Sequence, residues 1–266
     1  MISRLQTYMQ KALREAKIHS SWINPNRPYE EALDRFICAS LEQSPENRFL
    51  REFTAFLDSI KTAGIWNSLA QTLLKITSPG VPDFYQGTEI WDFTLVDPDN
   101  RRPVDYRLRC ELLNRLRQDE AHGPLPLIDH LLQDPSDGAI KLYLISRALC
   151  FRKSNQDLFA HGSYVPLRAG GRRQNHVVAF ARVFGHRSAI VVASRFFMSL
   201  SPNPAKPIGE EVWEDSKLLL RRHFKPTAYR DVFTQSVIET GRNGKMTLPL
   251  SRIFAHLPIA LLESID

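Results

Sequence analysis

The sequence predicts an α+β chain, helices first and a small antiparallel β-sandwich domain last. Three observations carry this. Over roughly the first half, apolar residues recur at spacings of three and four, the period of a helix. After Ser154 the texture turns to short β-branched or aromatic runs separated by turn formers. Between the helical stretches stands one short extended run, Val81 to Tyr85, with prolines ahead of it and Gly87 behind.

The helices follow in order. Ile2, Leu5, Met9, Ala12, Leu13 and Ala16 stripe a helix over residues 2–17. His19 to Asn26 (HSSWINPN) breaks that stripe and predicts a loop. Pro28 stands where the next helix begins, because its missing N–H costs nothing in a first turn. Leu33, Phe36, Ile37 and Leu41 give that helix one apolar face. Ser44-Pro45 repeats the start signal as cap and first position. Phe49, Leu50, Phe53, Phe56, Leu57 and Ile60 then make the strongest stripe in the chain, read as helix core rather than a ligand box. Residues 64–76 predict a shorter buried helix. A polar loop runs from Thr88 to Pro103. Asp105 can cap a helix through about Arg117, with Leu108, Leu112, Leu113 and Leu116 on one face. A further helix is expected from Gly138 to Lys153.

The β half reads as strands at Val177–Phe180, Ala189–Ala193 and Tyr229–Phe233, with a hairpin at Gly185 between the first two. Lys245–Leu250 and Leu257–Leu262 are expected to close the domain. Trp66 and Trp91 are assigned to the core, and Trp213 to the β half. The expected division is residues 1–155 and 156–266. One strand cannot form a sheet alone. Either the 81–85 strand joins the β domain or its partners are missing from this chain.

Composition narrows the function. The chain has 266 residues, 43% hydrophobic and 24% charged, values of an ordinary folded protein and not of a disordered one. No apolar run approaches the roughly 18 residues of a membrane span, so no membrane partner is expected. The N-terminal segment is amphipathic and lacks the apolar core of a signal peptide. Cys38, Cys110 and Cys150 cannot all pair, and none forms a C-x-x-C, so a reducing cytoplasm is expected. The net charge of +6 raises nucleic acid as a partner. The basic residues come only as short pairs, Arg101-Arg102, Arg172-Arg173 and Arg221-Arg222, and no nucleic-acid partner is expected.

Gly80-Val81-Pro82-Asp83-Phe84-Tyr85-Gln86-Gly87-Thr88-Glu89 resembles the segment spanning the eighth barrel strand of the α-amylase superfamily. The run that follows, Trp91-Asp92-Phe93-Thr94-Leu95-Val96-Asp97-Pro98-Asp99-Asn100-Arg101-Arg102-Pro103-Val104-Asp105-Tyr106, narrows the resemblance to the maltooligosyltrehalose synthases. Lys11 to Trp22, Asn24-Pro25-Asn26, Tyr29-Glu30 and Leu158 to Leu167 are similar to the same family. The resemblance implies that the chain is the C-terminal part of a (β/α)8 barrel, ending in its last strand and helices, followed by the β domain. It implies that strand partners lie in a missing N-terminal barrel portion. Without them, the chain is expected to self-associate. The superfamily's nucleophile lies in a G-x-R-x-D-type motif and a second carboxylate in a His-Asp pair. Neither pattern occurs here, so the catalytic carboxylates are expected upstream of Met1. The implied substrate is a maltooligosaccharide, with no cofactor and no metal.

Candidate substrate-binding residues follow from place and chemistry. Tyr85 and Gln86 stand at the strand end, where a barrel gathers its chemistry. Tyrosine offers a ring face and a hydroxyl to a sugar. Glu89 is read as a salt-bridged carboxylate holding the loop, since retaining glycoside chemistry needs a second carboxylate about 5 Å away. Asp97, Asp99 and Asn100 resemble a calcium loop, but positions six and twelve are Arg102 and Leu108 rather than Gly and Glu. Arg101, Arg102 and Asp105 remain as candidates, because the block resembles a loop of related glucosidases in which an Arg flanks the aglycone side of the site, and a guanidinium fork can bond two hydroxyls at once. The alternative is an Arg–Asp pair that locks the loop. His19 and Trp22 join them, Trp22 as a sugar platform or a hydrophobic plug. Rival readings are a stand-alone carbohydrate-binding or structural module, and a fragment of another α-amylase-superfamily hydrolase.

Overall fold

The structure is a computed structural model that describes residues 1–201, 206–220, 226–241 and 246–265. The chain divides into two compact units. The first is residues 1–60 with 92–105, and the second is residues 61–91 with 106–266.

In the first unit, α1 (Ile2–Ala16) and α2 (Arg27–Ser40) flank the predicted loop. Asn26 caps α2 by accepting from the Tyr29 N–H, and Pro28 occupies the first turn as its sequence position implies. The next helix, α3 (Arg48–Thr77), begins later than expected. Its start signal is Asn47, whose side-chain oxygen accepts from the Leu50 N–H at 3.1 Å, and not Ser44-Pro45. The two helices expected over 49–60 and 64–76 are one continuous helix, because no glycine or proline able to stop it intervenes except Gly64. A single mid-helix glycine costs about 1 kcal/mol, which α3 tolerates.

The expectation that the Phe stripe is core fails here. Phe49, Phe53 and Phe56 are 56%, 48% and 61% exposed. The helical period is present, but nothing in this unit covers that face. Among the unit's described residues, Ile37 is the one fully buried large apolar side chain. Ion pairs and hydrogen bonds between α1 and α2 hold the pair together instead: Arg14 to Glu30, and Gln10 to Asp34 at 2.9 Å.

The second unit contains the core. The remainder of α3 buries Trp66, Leu69, Leu73 and Ile76. With it pack α4 (Tyr106–Glu120), α5 (Pro124–Gln133), α6 (Ala139–Ser154) and the short α7 (Gln156–Ala160). The sequence reading missed α5, whose first turn holds Pro124 and Pro126, residues that mark loops as often as helix starts. Gly138 precedes α6 with φ +78°, and a Cβ there would meet the Trp91 backbone nitrogen at 2.8 Å. The Trp91 indole N–H donates to the Pro135 carbonyl at 2.6 Å and closes the same junction.

Residues 81–85 form no ladder with any described strand, so of the two alternatives the sequence left open the run does not join the β domain. The run carries neither helix nor turn, and its exposure alternates residue by residue as a strand's would. What it lacks is a strand neighbour among the described residues.

The strands that do pair are β1 (Ser163–Gly170), β2 (Val177–Phe184), β3 (Arg187–Ser194), β4 (Lys217–Leu219), β5 (Ala228–Asp231), β6 (Val237–Glu239), β7 (Thr247–Pro249) and β8 (Ile259–Ile265). All pairings are antiparallel, in the order β6-β5-β8-β3-β2-β1-β4-β7. β1, unassigned in the sequence reading, is paired twice: Ser163–Leu167 with β2 and Arg168–Gly170 with β4. Gly185 turns the β2–β3 hairpin with φ +62°, a backbone that glycine adopts without strain. β3 is central and carries the continuous apolar run Ala189–Ala193. The strand expected over 229–233 stops at Asp231, where a turn begins. Of the run expected over 245–250, Lys245 lies outside the described residues, as does the pair Arg221-Arg222. Trp213 and Trp66 are buried as expected, and Trp91 packs half-buried against the core.

Candidate functional site

In the first unit, one face of α1 arms two clusters. Arg4, Lys11 and Arg14 sit at spacings of seven and three, so their side chains leave the same side of the helix. Arg4 and Lys11 reach the 92–105 loop. Arg14 reaches α2.

Asp99 is the hub of the loop. Its carboxylate accepts from Arg4 Nε at 3.0 Å, from Arg4 Nη2 at 2.7 Å and from the Leu95 N–H at 2.8 Å. Arg102 Nε stands 3.1 Å from the same carboxylate and 3.1 Å from the Asp99 carbonyl. The Arg4 hydrogen bonds, then the Leu95 N–H, hold the Asp99 carboxyl down at about 2. Asp97 pairs with Lys11 Nζ at 2.7 Å and also with Arg101. Both candidate arginines are therefore bound to loop aspartates through Nε. Their outer nitrogens are left toward solvent, since the side chains remain 72% and 53% exposed for Arg101 and Arg102. Asp105 is exposed and immediately precedes α4.

The second cluster carries His19 and Trp22. Glu30 is buried and accepts from Arg14 at 2.9 and 2.7 Å and from the Ser20 hydroxyl at 2.6 Å. Arg14, then Ser20, holds the Glu30 carboxyl at about 2. The Arg14 guanidinium in turn lies over the Trp22 ring, 4.9 Å from its centroid. His19 stacks on Tyr29, ring centroids 4.9 Å apart. Trp22 is thus held by a cation while 58% exposed. Sequence reasoning missed Arg4, Lys11, Arg14 and Glu30. Their signal was the spacing of three basic residues on one helix face, which the apolar stripe on the other face overshadowed.

Tyr85 and Gln86 belong to the second unit. Tyr85 is 49% exposed and lines a cavity of about 410 Å³. Ser68, Gln71, Thr72 and Lys75 of α3 form one wall, with Asp83, Phe84, Thr88 and Lys141 around them. Lys75 Nζ lies 3.8 Å from the centre of the Phe84 ring. Thr88 donates from its hydroxyl to the Tyr85 carbonyl at 2.7 Å and fixes the turn after the extended run. Glu89 pairs with Arg109 at 3.0 Å, and Arg109 also donates to the Gly87 carbonyl at 2.6 Å. Glu89 is thereby a loop-holding carboxylate. The hydroxyls, amide, carboxylate and ammonium groups around Tyr85 suit a polyhydroxylated ligand.

Among the described residues, no group of three His, Cys, Asp or Glu side chains could hold a metal ion. No helix among them is long and apolar enough to cross a membrane.

No family model matches the chain. The protein of Mycobacterium tuberculosis (strain CDC 1551 / Oshkosh) that bears the name maltooligosyl trehalose synthase is 32% identical over 263 residues, 97% of this chain and 28% of that protein. The solved maltooligosyltrehalose synthase from Arthrobacter ramosus matches with a TM-score of 0.77 at 32% identity, covering 100% of this chain and 30% of that one. The solved DSM5389 glycosyltrehalose synthase matches with a TM-score of 0.65 at 30% identity, covering 98% of this chain and 29% of that one. By a likeness that runs along its whole length, the chain belongs with the maltooligosyltrehalose synthases, spans less than a third of their length, and fits a C-terminal portion of such a protein.

Proposed function

We propose that the chain is the C-terminal portion of a maltooligosyltrehalose synthase and supplies part of its substrate site. The complete enzyme isomerises the reducing-end α-1,4 bond of a maltooligosaccharide to an α,α-1,1 bond. The reaction is an intramolecular transglycosylation with retention: a carboxylate forms a glycosyl–enzyme bond, and the released glucose returns through its anomeric hydroxyl. The carrying observation is the 32% identity across 97% of the chain to a protein of that name.

Residues 1–155 are read as the end of a (β/α)8 barrel and residues 156–266 as a β-sandwich. The unpaired run 81–85, with its alternating exposure, supports the first, as a barrel strand without its neighbours. For the second, β1 passes from the ladder with β2 to the ladder with β4, as a strand does when it switches sheets. The catalytic carboxylates lie outside this chain, so the chain alone is inactive. Tyr85, Gln86, Arg101, Arg102, Asp105, His19 and Trp22 hold the sugar and keep water from the intermediate. Three exposed free cysteines support a reducing cytoplasm. The exposed Phe stripe disfavours a stand-alone module, which would have to bury its own helical face.

The test is a chimera. The last part of a related synthase is replaced by this chain, and maltopentaose is followed for trehalose-ended product. Product formation is expected. A folded chimera that yields only glucose and shorter maltooligosaccharides would instead mark a hydrolase fragment.

A further inference from the structure

A second cavity in the same unit, about 460 Å³, shares no residue with the one at Tyr85. Leu132 of α5 and Ile208 contribute apolar surface, over the buried Trp66 of α3. Asp129 and Gln133 of α5, with Lys206 and His256, contribute the polar groups. None of these four polar side chains has a partner among the described residues. The two loops that complete the cavity are tied down from behind. The Trp213 indole N–H donates to the Pro207 carbonyl at 3.1 Å, and the Gly209 N–H to the Phe254 carbonyl at 2.9 Å. The Ser194 hydroxyl donates to the Pro258 carbonyl at 2.6 Å. A pocket whose walls are fixed and whose polar groups are uncommitted is organised in advance for a ligand.

The lining decides the ligand class. Asp129 repels an anion and Lys206 repels a cation. A carboxylate, an amide, an imidazole and an ammonium together offer donors and acceptors in mixture. Vicinal hydroxyls, each both donor and acceptor, match that mixture, and a sugar's C–H face matches the part-exposed apolar side chains of Leu132 and Ile208.

We infer that this cavity is a second carbohydrate site, separate from the Tyr85 cavity, which holds a glucose unit of an α-glucan. Its identity as an α-glucan site rests on the proposed function. The sugar site itself rests on the lining alone.

Calorimetric titration of the full chain with maltoheptaose tests it, with cellohexaose as the second probe. Asp129→Ala and His256→Ala change groups at the cavity rim and should keep the native melting temperature. Each should weaken maltoheptaose binding about tenfold or more, since each removes a polar contact to the sugar. Tyr85→Ala removes any binding that belongs to the other cavity and should leave the Asp129-dependent event in place. No saccharide binding to the full chain overturns the inference, as does binding lost in Tyr85→Ala but kept in Asp129→Ala. Asp129-dependent binding of cellohexaose alone keeps the sugar site and overturns the α-glucan assignment. An active chimera without Asp129-dependent binding overturns this site and leaves the proposed function standing.

Discussion

Arg102 is bound through Nε to Asp99, yet half of its side chain faces solvent. Those two facts give it two separable roles, locking the loop and reaching for sugar. In an active chimera, Arg102→Ala tests which dominates. A charged hydrogen bond lost from a desolvated site costs about 1.5–3 kcal/mol, roughly ten- to a hundredfold in rate. The account predicts that loss in transglycosylation, a larger share of free glucose, and a nearly unchanged melting temperature. A fall in melting temperature with an unchanged glucose-to-trehalose ratio would remove Arg102 from the site. A second residue, Asp231, sets a pH signature. Burial pushes its carboxyl up to about 7, although the Phe233 N–H and the Thr234 hydroxyl donate to it at 3.1 and 3.0 Å. Its folded pKa lies above the unfolded value of about 3.9, so over that window the folded state keeps a proton the unfolded state releases. Stability therefore falls as pH rises from about 4 to about 7. Glu30 and Asp99 act with opposite sign, held at about 2, so their contribution is lost as pH drops from about 4 toward 2. Melting curves across pH should show both slopes, and Asp231→Asn should flatten only the upper one. An upper slope that survives in Asp231→Asn would contradict the assignment.

At the scale of elements, α3 contains both a covered and an uncovered stretch. Leu73 has no exposed surface, whereas Phe56 is 61% exposed. Leu73→Ala should therefore cost about 2–5 kcal/mol in denaturant unfolding. Phe56→Ser should change stability by less than about 0.5 kcal/mol and should shift the isolated chain toward monomer on size exclusion. Equal destabilisation by both would mean that the stripe is packed in solution. The helical period of that stripe was legible in the sequence, and so were the bounds of α1, α2, α4 and α6 to within a few residues. Burial was not legible there, because a period reports a face and not what covers it. The 81–85 run shows the same division. Its alternation was legible and returns as alternating exposure, but pairing depends on neighbours that no local pattern describes. β1 escaped notice because Pro166, Arg168 and Gly170 interrupt its apolar pattern, and α5 because its first turn reads as a loop. Tyr85, Arg101, Arg102, His19 and Trp22 were legible as candidates by residue type and place. Their partners on α1, 86 and 95 positions away for the loop aspartates, were not, since ion pairs at that separation leave no mark in one sequence.

At the scale of the molecule, the two units are built differently. The first is held by carboxylates paired with arginine and lysine around one buried isoleucine, and the second by a continuous apolar core and, among the described residues, eight antiparallel strands. A unit so poor in buried apolar surface, with an aromatic stripe facing solvent, matches a portion of a larger enzyme better than a self-sufficient module. The span of less than a third of each related synthase agrees. The central claim is that this portion carries substrate contacts while the reacting carboxylates lie elsewhere. Loss of reducing ends from maltopentaose, measured for the chain alone and for the chimera, tests it most directly. The account predicts no loss with the chain alone and steady loss, without matching glucose release, with the chimera. Turnover by the chain alone, or a folded chimera that leaves the reducing ends intact, would contradict it.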